Sequence, residues 1–77
     1  MRLLPYRFAI RIDQGAEDST LGACTERGLC LSAEAFLREL RRSELCAPYV
    51  IECQDPRARH RITSYLDGVR LELMCTP

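Results

Sequence analysis

The amino-acid sequence predicts an α+β fold, with one amphipathic helix packed on a small, mostly antiparallel β-sheet in two layers. Three stretches carry that expectation: alternation of apolar and polar residues from Tyr6 to Asp13, a helical apolar stripe within Leu31 to Cys46, and an Asp67-Gly68 corner between aliphatic residues. The expected order is strand, short strand or arm, helix, strand, strand, strand.

Tyr6, Phe8, Ile10 and Ile12 alternate with Arg7, Ala9, Arg11 and Asp13, the period of two that buries one face of a strand. Residues Gln14 to Ser19 are polar and include Gly15, Glu17 and Asp18, which predicts an exposed loop. Leu21 to Leu31 admits two forms: a short strand over Ala23, Cys24 and Thr25 that turns at Arg27-Gly28, or an irregular arm leading to the helix. Ser32 has the chemistry of an N-cap, with Leu31 and Phe36 spaced as a hydrophobic staple around it. Ala33, Phe36, Leu37 and Leu40 then fall on one helical face, and Pro48 ends the helix near Cys46 because proline disfavours helix in the residue before it. Tyr49-Val50-Ile51-Glu52-Cys53 is β-rich and predicts an interior strand, which Asp55-Pro56 ends. Asp67-Gly68 matches a two-residue type I′ hairpin turn. That turn directs Ile62, Leu66, Val69, Leu71, Leu73 and Cys75 inward, and Arg61, Thr63, Tyr65, Arg70, Glu72 and Met74 outward.

Chain length and charge narrow the function classes. A 77-residue chain forms a single domain and buries only roughly 60–65% of its unfolded surface, so few large apolar residues remain to wall a deep pocket. With 11 basic and 11 acidic residues the net charge is zero, which gives no whole-molecule attraction for polyanions. Every basic side chain is arginine, a bias expected of a GC-rich coding sequence and also suited to bidentate carboxylate or phosphate contacts. Pro5 and Arg7 interrupt any leader-like apolar run, and no segment approaches the ~20 apolar residues of a membrane span. A cytoplasmic location without membrane contact is therefore expected.

The five cysteines, Cys24, Cys30, Cys46, Cys53 and Cys75, are odd in number and expected to be free thiols in a reducing compartment. They are separated by five, fifteen, six and twenty-one residues, so none forms the close pair of a zinc knuckle, and His60 is the only histidine. A zinc site would have to be gathered from distant strands, for instance Cys24, Cys30, Cys53 and His60; small buried hydrophobes are the simpler role for such residues. A Cys53-His60-Asp55 nucleophilic set can be drawn, but nothing in the sequence adds a cleft or oxyanion donors to it. The single glycines at 15, 22, 28 and 68 form no phosphate-binding loop. No enzymatic activity, cofactor or metal is expected.

The densest charge cluster, Arg57-Ala58-Arg59-His60-Arg61, continues through Arg70 onto a hairpin face that also bears Tyr65 and Met74. Exposed arginine, aromatic and methionine together are enriched at protein interface cores, whereas the bland role of such a cluster is a charged strand edge that discourages aggregation. Arg38, Arg41 and Arg42 form a second cluster, which Glu34 and Glu39, at i+4 and i+3 spacing to Arg38 and Arg42, are expected largely to neutralise. The partner-binding residues expected are thus Arg57, Arg59, His60, Arg61, Tyr65, Arg70 and Met74. They suit a non-catalytic protein-protein interaction module that occupies the surface of a larger protein, as a regulatory adaptor or as a stoichiometric inhibitor of the kind small phage-encoded antagonists of bacterial defence represent. Two alternatives use the same surface: a nucleic-acid binder built on Arg57, Arg59, Arg61 and Arg70, and an edge-paired homodimer in place of a monomer.

Overall fold

A computed structural model of the protein describes residues 4–12 and 19–75. The α+β class and the antiparallel sheet hold, and the elements run β1 (Tyr6–Ile10), β2 (Ser19–Ala23), α1 (Glu26–Glu39), a 3₁₀ turn (Arg42–Glu44), β3 (Tyr49–Glu52) and α2 (Pro56–Cys75). The sheet order is β2-β1-β3, with β1 antiparallel to both neighbours, so α1 connects two strands that run parallel to each other on opposite sides of β1, and β3, expected in the interior, is an outer strand because the segment after it folds as a helix and adds no further strand. Phe8, Ile10 and Ile51 from the sheet, Leu29, Ala33 and Leu37 from α1, and Ile62, Leu66 and Val69 from α2 form one buried cluster. Both helices therefore cover the same sheet face. The opposite face carries Arg7, Ala9, Thr20, Gly22, Val50 and Glu52, with Arg7 and Glu52 3.7 Å apart across neighbouring strands.

The first helix starts earlier than its apolar stripe suggests. Thr25, not Ser32, is the N-cap: its hydroxyl accepts the Gly28 N–H at 2.9 Å, with Glu26 in the first turn where a carboxylate suits the positive helix end. The expected strand over Ala23, Cys24 and Thr25 is displaced to Ser19–Ala23, and Arg27-Gly28 lies inside α1 and makes no turn. Of the loop expected over Gln14 to Ser19, Ser19 begins β2, and residues 14–18 lie outside the described residues. Leu31 is 55% exposed and forms no staple, whereas Phe36 packs edge-on against Phe8 with ring centroids 6.0 Å apart. The stripe itself holds, since Ala33 and Leu37 are buried with Phe36 and Leu40 packed beside them. The helix ends before Cys46: Leu40 turns extended (φ −73°, ψ 150°), and the Glu44 carboxylate accepts the Arg41 N–H at 2.8 Å to open the 3₁₀ turn that buries Leu45.

The C-terminal hairpin does not form. Pro56–Cys75 is one continuous helix of 20 residues, and Asp67-Gly68 lies in its interior. Its start is set by the dipeptide that also ends β3: Asp55 Oδ1 accepts the Arg57 N–H at 2.9 Å, the Asp55 carbonyl accepts the Arg59 N–H at 3.0 Å, and Pro56 occupies a first-turn position that needs no donor. Ala58, Ile62, Leu66, Val69 and Leu73 then recur at spacings of four, four, three and four, the helical period, and the first four are buried with Leu73 packed against them. Leu71 separates the two periodicities. A hairpin would bury it, and it is 60% exposed.

Candidate partner-binding surface

All seven residues expected to bind a partner lie on α2, and the helix distributes them over two flanks and one exposed end. On the flank toward α1, Arg61 makes a two-pronged contact with Glu26, Nε to Oε2 and Nη2 to Oε1, each 2.8 Å. The hydrogen bonds hold the Glu26 carboxyl below its ordinary range and raise Arg61 above its own. One turn on, the Tyr65 hydroxyl donates to Glu34 Oε1, while Arg38 donates to Glu34 Oε2 from Nε at 3.0 Å and Nη2 at 2.7 Å. Glu34 is lowered first by Tyr65 and then by Arg38, and Tyr65 is raised chiefly by Glu34. Cys30 sits beside this seam, and partial burial, with Glu26 and Glu34 nearby, raises its thiol above the ordinary range.

On the opposite flank the contacts reach β3 and the segment before it. Arg70 Nη1 donates to the Ala47 carbonyl at 2.9 Å, and its guanidinium lies 4.9 Å from the centroid of the Tyr49 ring. The Tyr49 hydroxyl donates to Asp67 Oδ1 at 2.5 Å, 3.2 Å from the Thr63 carbonyl, and burial followed by Asp67 pushes its titration well above the tyrosine range. Met74 is half-buried: its sulfur is 3.8 Å from the Cys46 thiol, and its carbonyl accepts from Arg42 Nη2 at 2.8 Å. Arg61 and Tyr65 are thus parted from Arg70 and Met74. The single mixed face expected of a hairpin does not exist, because side chains two apart on a helix point about 200° apart instead of to one side.

Arg57, Arg59 and His60 remain. All three are exposed on the first turns of α2, and no carboxylate among the described residues pairs with their side chains. Arg59, His60, Thr63 and Pro56 form one wall of a notch of about 340 Å³, whose other wall is Tyr49, Val50 and Ile51 of β3. The strand residues were not singled out from sequence as partner contacts. The signal that could have found them is Asp55-Pro56, which read as a helix start folds α2 back along the strand just completed.

Among the described residues no group of three histidine, cysteine or acidic side chains is placed to hold a metal ion, and all five cysteines are free. No helix among them is long and apolar enough to cross a membrane. No family model matches the chain, and neither a curated protein nor a solved structure is similar to it.

Proposed function

We propose that the protein is a small, non-catalytic protein-protein interaction module that acts by occupying the surface of a larger protein, as a stoichiometric inhibitor or a regulatory adaptor. The observation that carries this proposal is the exposed cationic end of α2. Arg57, Arg59 and His60 stand without an ion-pair partner among the described residues, Arg59 and His60 beside a notch, while Arg61 pairs with Glu26 and Arg70 donates to the Ala47 carbonyl. Unpaired arginines on a rigid helix beside apolar surface are the composition from which interface anchors are drawn. A nucleic-acid footprint needs a broader field than this surface offers, because Arg61 is neutralised by Glu26 and Arg70 faces Ala47 and Tyr49.

The test is crosslinking in the native host followed by identification of captured macromolecules, with wild type beside Arg59→Glu and Leu71→Lys. Arg59 and Leu71 are both exposed, so each variant should keep the fold to within about 0.5 kcal/mol. Loss of one protein from the Arg59→Glu sample, with its retention in the Leu71→Lys sample, supports the proposal. Identical captured sets overturn it, as does capture of nucleic acid alone.

A further inference from the structure

The notch has a backbone wall as well as a side-chain wall. Arg11 N–H bonds to the Pro48 carbonyl at 3.1 Å, and the register pairs Ala9 with Val50 and Arg7 with Glu52. In an antiparallel ladder the hydrogen-bonded pairs alternate, so Val50 and Glu52 direct their N–H and C=O groups toward β1, and Tyr49 and Ile51 direct theirs away from it. No described strand lies on that side, since β3 is an outer strand of the β2-β1-β3 sheet. Cys53, the next residue in the outward phase, lies beyond the end of β3 at Glu52, so within the strand Tyr49 and Ile51 carry the outward donors and acceptors.

We propose that this notch receives an extended acidic segment of another protein as a fourth strand on β3, with alternate carboxylates directed toward Arg59 and His60. The proposal rests on the interaction-module function above and names the chemistry of its partner. Strand addition draws affinity from main-chain hydrogen bonds and specificity from the pockets that alternate side chains enter. The pleat fixes which chain positions meet which wall. Residues opposite Tyr49 and Ile51 point to the helix side, where Arg59, His60 and Thr63 stand without a paired acid, and residues opposite Val50 point to the open sheet face, where Val50 is 51% exposed. The matching segment alternates acidic and β-branched residues. A basic segment would meet the like charge of Arg59.

The experiment uses the isotopically labelled full chain and three short blocked peptides: one alternating Val and Glu, one alternating Val and Lys, and the Val-Glu peptide N-methylated at alternate amides. The expected result is that the Val-Glu peptide shifts the Tyr49, Val50 and Ile51 amide signals and slows hydrogen exchange at Tyr49 and Ile51. Its affinity should fall about tenfold or more in Arg59→Glu, and comparably when lysine replaces glutamate or when the peptide is N-methylated. Equal binding of the lysine peptide overturns the proposal. So does insensitivity to N-methylation with shifts confined to α2, an outcome that leaves the module function standing on the crosslinking result. Absence of binding by the Val-Glu peptide, or tighter binding of a DNA duplex at the same amides, overturns it too.

Discussion

At the scale of single residues, two glycines in helices have opposite reasons. A Cβ on Gly28 would lie 2.9 Å from Thr25 Oγ1, so glycine there makes room for the cap that starts α1. A Cβ on Gly68 would meet nothing within 4 Å, and yet this residue stands inside α2, where glycine is less favourable than alanine. Gly68→Ala is therefore expected to raise stability by roughly 0.5–1 kcal/mol, read as a higher urea midpoint at unchanged slope. A lower midpoint would mean that the backbone at 68 is not helical. Gly68 is also the residue that drew the chain toward a hairpin on paper. Asp-Gly is strong turn chemistry only when the flanking residues cannot satisfy themselves otherwise, and here eleven preceding residues had already committed to helical spacing from Asp55.

At the scale of elements, legibility followed how far each signal had to compete. β1, β3 and the apolar stripe of α1 could be read directly, because alternation over Tyr6 to Ile12 and the i, i+3, i+4 spacing of Ala33, Phe36 and Leu37 each fit one period only. The stretch from Val69 to Leu73 fits both, since alternate aliphatics look like a strand locally and like a helical face once Ile62 and Leu66 are included. The site was legible as composition and not as geometry: Arg57, Arg59 and His60 were identifiable, but their strand partners depended on α2 being a helix. Leu71 and Leu66 make the helix testable. Leu71→Lys is expected to change stability by no more than about 0.5 kcal/mol, whereas Leu66→Ala should cost roughly 2–5 kcal/mol by opening a cavity among buried neighbours. Chemical denaturation of the two variants checks the pair, and a large loss at Leu71 would restore the hairpin.

At the scale of the whole molecule, the two helices are joined across their exposed seam by carboxylates of α1 and donors of α2, Glu26 with Arg61 and Glu34 with Tyr65. Both carboxyls are held below their ordinary value of 4.5 in the folded state, so their contribution is present above that pH and is lost as pH falls through the lowered folded values. Tyr65 is raised, and its contribution is lost in the opposite direction, as pH climbs past the ordinary tyrosine range of 10. The melting temperature of the wild type is expected to decline below about pH 4.5 more steeply than that of a Glu26→Gln, Glu34→Gln variant, with the difference shrinking in high salt because the seam is open to water. Parallel acid profiles for the two proteins would remove the seam from the stability of the fold.

The sheet has a second border, and its chemistry bears on how two copies of the chain would meet. On β2, a strand with no carboxylate, Ser19, Leu21 and Ala23 direct their backbone groups toward β1, and Thr20 and Gly22 direct theirs away from it. Were one copy's β2 to dock on another's β3, the contact would be head-to-tail, and nothing in its symmetry would stop a chain of copies from growing into a filament. The arginine and histidine overhanging β3 leave such a visitor with nothing to neutralise them. An overhang that selects an acidic strand would thus weigh against growth templated by the chain's own uncharged β2.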